Sequence, residues 1–364
     1  MNRTLSRPER IAWARLARTA RVGPLTFHRL IARFKGAAAA LEALPRLSQN
    51  TPPPVEDVER ELDSVEALGA RLVASCEPDY PPLLAELDAP PPLIGLRGDI
   101  KILHRPTVAI VGSREGSAAA LMFAEQLARD LGAAGFTVVS GLARGVDAAA
   151  HRGSIETGAA AVLAGGLDHP YPPQNLKLHE AICARGVVVS EAPLGTIARA
   201  RDFPRRNAII SGLSRAVVII EAALRSGSLI TARAAADQGR EVMAAPGSPL
   251  DPRARGSNAL IKQGATLIEN ADDVIAALGQ TLHPARPLSA GPLFAEVEAA
   301  PAPPGLPRKL AALLSPTPIH VNDLARLVEA PAGAVAAALT ELELEGQAAS
   351  LPGGYAASSG SAFR

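Results

Sequence analysis

From Pro106 onward the sequence repeats one rhythm, and that rhythm limits the fold more than any other feature of the chain. "TVAIVGS", "FTVVSG", "AAVLAGG", "GVVVSE", "AVVIIEA" and "EVMAAPG" are short apolar runs rich in Val and Ile, several of them closing on Gly or Ser. Segments of helical length, such as "SAAALMFAEQLARDLGAAG", separate them. Strands need apolar residues on both faces when helices cover the two sides of a sheet, and strand–helix alternation feeds a parallel sheet. The expectation is an α/β core on a doubly wound, mostly parallel sheet, with its binding crevice beyond the carboxyl ends of the strands.

At 364 residues the chain has room for two or three domains. Residues 8 to about 70 carry helical apolar spacing, as in "GPLTFHRLIARFKGAAAALEAL", and "NTPPPVED" interrupts them. We expect a small all-helical domain over 1–72, a Rossmann-like core over 73–282 and a Pro/Ala-rich linker over 283–307. A winged-helix-like domain over 308–357 completes the order: three helical patterns precede "GQAAS" and "GGYAA", which pair as a wing. That wing lacks Lys and Arg, and the helix before it carries Glu341, Glu343 and Glu345. Such a surface reads duplex DNA poorly and suits protein docking or dimer support. The start "MNRTLSRPER" has no apolar targeting region, and no segment holds about 18 uncharged apolar residues in a row, so a cytoplasmic protein without membrane contact is expected. Cys76 and Cys183 have no Cys or His at ligand spacing, so neither a metal site nor a disulfide framework is expected.

The strand ends hold the chemistry. "GSREGS" follows the first strand, "SGLARGVDAAAH" the second, "AGGLDHPYPPQN" the third and "RSGSLITA" the fifth. Glycine lets backbone N–H groups approach an anion, serine adds hydroxyl donors, and the next helix N-terminus adds a favourable dipole. Four such loops on one sheet edge read as a phosphate-binding surface. Arginine placement then distinguishes a nucleotide from a polynucleotide. The chain has a net charge of only +1, yet "ARARDFPRRNAIISGLSR" holds five arginines and one aspartate. With Arg114, Arg144 and Arg225 in the loops, Arg199, Arg201, Arg205, Arg206 and Arg215 exceed what a mononucleotide needs and suit a chain of phosphates. Phe203 among them offers a face on which an unpaired base can stack. Single-stranded nucleic acid is therefore the leading partner; a solvated arginine face with carboxylate pairs is the alternative. Asp147 and His151, four residues apart on a helix, could serve acid–base chemistry, but Asp147 as a brace for loop glycines and His151 as a packed residue at the sheet edge is the preferred reading.

"VAIVGSR", "SGLARGVDAAAH", "AVLAGGLDHPYPPQN", "SEAPLG", "FPRRNAIISGLSRAVVIIEAALRSGSLITARAAADQGREVMAAPGS" and "GSNALIKQGA", in this order, resemble the DNA-processing protein A family (DprA, also called Smf). The helical N-terminal part is similar to that family's sterile-alpha-motif or helix-hairpin-helix-like domain, and the C-terminal part to its winged helix. The resemblance implies a cytoplasmic homodimer that binds single-stranded DNA, protects it and loads the RecA recombinase during natural transformation. It implies no enzyme, no cofactor and no metal. Matched onto this chain, the DNA surface comprises Gly112, Ser113 and Arg114, then Phe203, Arg205, Arg206 and Asn207 of "FPRRN", with Lys177 adding a backbone contact. The other strand-end loops contribute Gly141, Arg144, Gly145, Gly165, Gly166, Arg225, Ser226, Gly227 and Ser228. Relatives often carry arginine after "FPxRN", where this chain has Ala208, so one expected charge is missing. An N-glycosidic hydrolase or a nucleotide sensor on the same phosphate loops, using Glu221 or Asp147, stays open as the second reading. The glutamate that such hydrolases place one helical turn after a Gly-Thr pair has no counterpart after "SGSLITA". The weakly charged segment from Ile230 through Ile268 is the expected isologous dimer face.

Overall fold

The computed structural model of the chain describes residues 3–47, 50–279, 303, 305–344, 347–351 and 355–358. Of the linker expected at 283–307, only Pro303 and residues 305–307 fall within them. Glu345, the side chains of Glu341 and Glu343, and the turn of the wing lie outside the described residues.

Four helices come first: α1 (Arg7–Ala17), α2 (Pro24–Phe34), α3 (Ala37–Leu47) and α4 (Val55–Ala67). Helix α1 starts where Ser6 and Glu9 cap each other, and these hydrogen bonds hold the exposed Glu9 carboxyl down at about 2. Trp13 meets the Phe27 ring edge-on at 4.9 Å, and its indole donates to the Pro92 carbonyl at 2.7 Å, which seats the bundle on the core.

Nine strands form one sheet: β1 (Ala70–Ala74), β2 (Leu93–Gly98), β3 (Thr107–Gly112), β4 (Thr137–Ser140), β5 (Ala159–Leu163), β6 (Val187–Ser190), β7 (Ala216–Ile220), β8 (Glu241–Ala244) and β9 (Thr266–Leu267). Their order is β1-β2-β6-β5-β4-β3-β7-β8-β9. The run from β6 to β9 is parallel throughout, while β2 lies antiparallel to both β1 and β6. A short helix α5 (Pro82–Ala85) joins β1 to β2. Crossovers α6 (Ala118–Ala133), α7 (Val146–Ser154) and α8 (Leu176–Arg185) build outward from β3 to β6. Next, α9 (Phe203–Gly212) carries the chain back to β7 beside β3, and α10 (Ser228–Asp237) and α11 (Arg255–Lys262) build the other way. Strand β3 shows why both faces are covered. Val108 and Ile110 are buried against α6 and α7, and Ala109 and Val111 are buried in the opposite layer with Ile209, Ile210 and Ala235. Removing each such Val or Ile from water contributes about 1.5–3 kcal/mol.

After α12 (Ala271–Ala277) the next described elements are α13 (Leu306–Leu313), β10 (Ile319–His320), α14 (Val321–Leu327), α15 (Ala332–Leu344), β11 (Ala348–Leu351) and β12 (Tyr355–Ser358). β10, β12 and β11 form a small antiparallel sheet beside these helices, which is the winged helix. It packs on the core through Ala118 and Met122 of α6.

Candidate nucleic-acid interface

The sheet reverses its winding between β3 and β7, so the chain leaves these neighbours toward opposite faces and a cleft opens above their carboxyl ends. A cavity of about 540 Å³ occupies this place, walled by the loop after β3, the start of α9 and the loop after β7.

Gly112 ends β3 packed against the Ile220 carbonyl of β7, which leaves no room for a side chain. Ser117 caps α6 by accepting from the Ala120 amide at 3.2 Å. Its own amide donates to the Glu221 carboxylate at 2.9 Å, and its hydroxyl bonds the same carboxylate, which ties the β3 loop to the β7 loop. From below, the β4 loop supports both. Gly145 has φ of +75° and lies on the Ser113 carbonyl, a position open only to glycine. Asp147, one residue into α7, accepts from the Gly141 and Ala143 amides at 3.2 and 3.3 Å.

Above Asp147 lies the Arg206 guanidinium, 3.8 Å away and only 6% exposed, resting on Gly141 where any side chain would collide with it. Burial pushes the Asp147 carboxyl up and the Arg206 guanidinium down from their ordinary values, and each charge opposes the shift of the other. His151, also fully buried, is driven down to about 3 by burial and by the Arg206 charge. The chain thus keeps a positive charge under the cleft floor, balanced by one carboxylate.

Phe203 opens α9 with Pro204 in its first turn. The guanidiniums of Arg114 and Arg206 lie 5.0 and 5.4 Å from its ring centroid, within cation–π range. Tyr171, 55% exposed, meets the same ring edge-on at 6.3 Å. Asn207 donates to the Gly227 carbonyl at 3.3 Å, which fixes the loop after β7 against α9. In that loop Ser226 and Ser228 share a hydrogen bond of 2.7 Å, and the space beside Gly227 is open.

The sequence-predicted residues do not all reach this cleft. Gly112, Ser113, Arg114, Phe203, Arg206, Asn207, Arg225, Ser226, Gly227 and Ser228 wall the cleft together. Gly141 and Gly145 lie beneath it as supports. Gly165 and Gly166 pack against the 193–198 segment, Lys177 is exposed on α8, Arg144 is exposed at the β4 loop, and none of these four lines the cleft. Arg205 points to a neighbouring cleft and pairs with Glu191. Arg215 corrects the arginine count made from sequence. It precedes β7 and bonds the Thr107 carbonyl at the start of β3, so it belongs to the opposite edge of the sheet.

Arg253 and Tyr171 were missed. Arg253 lines the cleft, is held by Asp251 at 3.0 Å, and reaches the Ala312 and Leu314 carbonyls of the winged helix at 3.4 and 3.2 Å. Only long-range packing puts it there. Tyr171 did leave a signal, as one of three tyrosines in the chain, placed in a strand-end loop. Glu221 and Asp147, the carboxylates open to a hydrolytic role, are committed to Ser117 and to Arg206 with the β4 amides.

Fold and cleft define a class: a doubly wound Rossmann-like protein whose switch-point cleft is lined by serines, backbone amides, arginines and one aromatic ring, between a helical bundle and a winged helix. Sequence comparison then gives the family. The chain belongs to the DNA recombination-mediator protein A (DprA) family: residues 71–279 match the model of that name, 7–64 the DprA-like N-terminal HHH domain and 295–354 the DprA winged helix domain. It is 38% identical to Protein Smf of Escherichia coli over 307 residues, covering 83% of this chain and 81% of that one. DNA processing protein DprA of Bacillus subtilis is 38% identical, over 59% of this chain and 73% of its own. The X-ray structure of DNA processing protein A from Streptococcus pneumoniae superposes with a TM-score of 0.64 at 28% identity, over 75% of this chain and 98% of that one. DNA processing protein A of Helicobacter pylori, whose structure is described for its single-stranded DNA binding mode, gives 0.54 at 29% identity, over 59% of this chain and 97% of its own.

Proposed function

We propose that this protein binds single-stranded DNA in the switch-point cleft and acts, without catalysis, as a recombination mediator that protects incoming DNA and loads RecA in natural transformation. One observation carries the reading: an aromatic ring flanked by two guanidiniums, one of them buried, stands between two loops that offer serine hydroxyls and backbone amides. Unpaired bases stack on rings and on guanidinium planes alike, whatever their identity, while the loops and Arg114 and Arg225 meet phosphates. The cleft residues named above form the DNA site, with Arg144, Arg205 and Lys177 as outlying cations. Because Glu221 and Asp147 are engaged in structural bonds, neither is available as a general acid or base, which favours binding over N-glycosidic hydrolysis. A site this small spans few nucleotides, so two copies on one strand raise affinity by making the second engagement intramolecular. Exposed Leu250 after β8 and Leu267 in β9 support a homodimer face within Ile230–Ile268. No described helix is long and apolar enough to cross a membrane, in keeping with a cytoplasmic partner of DNA. Titration of a dT oligonucleotide and of duplex DNA of equal length tests the reading. Tighter binding of the single strand, with a steep dependence on salt, is expected, and equal affinity for the two forms rejects it.

A further inference from the structure

A second cleft lies between the N-terminal bundle and the core. Its cavity is about 620 Å³, and its walls are the α1–α2 hairpin on one side and the loops after β5 and β6 with the start of α9 on the other. Four arginines line it, Arg18, Arg21, Arg205 and Arg206, against two carboxylates, Glu191 and Asp202. Carboxylates meet three of these arginines, Glu61 at Arg18, Glu191 at Arg205 and Asp147 at Arg206, and leave Arg21 unpaired among the described residues. Glu191 is buried and accepts from Arg205, whose side chain is still 65% exposed. Arg18 is bound to Glu61 at 2.8 Å and donates to the Glu191 carbonyl at 2.9 Å, so it clamps the hairpin to the core. Arg21, at the hairpin tip with φ of 62°, is exposed and makes no ion pair among the described residues.

Arg206 lines both clefts, so their walls are continuous. It is nine-tenths buried, and its Nε has no hydrogen-bond partner among the described residues. Leaving such a donor unmet costs about 1–3 kcal/mol, a cost of holding the guanidinium under both clefts.

We propose that the interdomain cleft binds the phosphodiester backbone of the same DNA strand where it leaves the Phe203 cleft, with Arg21 and Arg205 meeting successive phosphates. The helical bundle is then part of the binding surface as well as a lid on the sheet. An acidic peptide would also suit exposed arginines such as Arg21 and Arg205. Continuity with the base-stacking cleft through Arg206 favours the strand, because a polymer entering one cleft is delivered to the other.

The inference rests on the single-strand reading above, and oligonucleotide length separates the two. Wild type and Arg21→Ala are titrated with dT oligonucleotides of about 5 and about 15 nucleotides, the range a single compact site spans. Arg21 is exposed and unpaired, so equal melting temperatures confirm intact folding. Expected are unchanged affinity for the short strand, a loss of about threefold for the long one, a salt slope lower by about 0.7, and recovery in Arg21→Lys. Unchanged binding of both strands overturns the inference and leaves the single-strand reading standing. Equal losses on both also overturn it, since Arg21 would then act through the first cleft. A wild type that binds neither strand overturns both readings. Competition of an acidic peptide, but not of dT, for a fluorophore placed at the hairpin assigns the cleft to a peptide and overturns the inference.

Discussion

The two clefts flank the first turn of α9, and consecutive arginines face them under opposite conditions. In the switch-point cleft Arg206 is buried over Asp147, fixed by Gly141 and Phe203. In the interdomain cleft Arg205 is mostly in solvent and shares Glu191. A guanidinium held rigidly in a low-dielectric floor acts on whatever enters, at a standing cost in stability; a solvated one acts by adding charge and is replaceable. The first is therefore tested best by removing single residues, and the second by changing salt and strand length.

The largest effect is expected from Arg206→Ala. It strands the Asp147 carboxylate in the interior and should lower unfolding free energy by about 3–5 kcal/mol in urea denaturation. The double change Arg206→Met with Asp147→Leu should recover most of that loss. If it recovers none, the pair is not what Arg206 supplies to the fold. DNA affinity should be compared only among variants that remain folded.

Phe203→Ala is expected to reduce single-strand affinity by about 1–3 kcal/mol with little dependence on salt, since stacking involves no counterion release. Phe203→Tyr should retain most of the affinity. A loss that appears only at low salt would recast Phe203 as a spacer for Arg114 and Arg206.

The buried floor also has a pH signature. An unfolded histidine takes up a proton near 6.5, whereas folded His151 does so only near 3. Between these values the unfolded state binds more protons, so stability falls as pH is lowered, by about 1.4 kcal/mol per unit. At pH 5.5 His151→Gln should have lost about 1.4 kcal/mol less than wild type relative to pH 8. Asp147, raised by burial, works in the opposite direction, but it is common to both proteins and cancels in the difference. Parallel pH profiles would show that His151 is solvated.

Smallest are the single phosphate contacts. Arg114→Ala should weaken dT binding about fivefold to tenfold. Arg199→Ala, Arg201→Ala and Arg205→Ala should each cost less, because exposed neighbours substitute for one another. Arg114 makes no ion pair among the described residues and leans on Phe203, so its geometry is set before DNA arrives. An unchanged affinity for Arg114→Ala would take the β3 loop out of the site.

The sequence by itself determined the layers and the working edge of this protein. Apolar runs of strand length alternating with helices can be buried only as a covered parallel sheet, and in such a sheet every loop after a strand lies on one side. The loops carrying Arg114, Asp147 and Ser226 were legible for that reason, as was Phe203 beside its arginines. The antiparallel pair β1 and β2, set among prolines and glycines, carries too short a pattern to show. Tertiary structure alone decided which charges can act. Arg215 follows the cluster in sequence yet sits at the far end of β7, because α9 carries the chain across the sheet before the strand begins. Arg205 and Arg206 differ in burial because one turn of helix presents them to different neighbours, Glu191 of the β6 loop and Asp147 of α7. Arg253 enters the switch-point cleft from after β8, and Arg21 borders the interdomain cleft from the bundle, through packing between segments far apart in the chain. Periodicity encodes which face of an element is buried; the partner of a charge is set by long-range contacts that no local pattern contains.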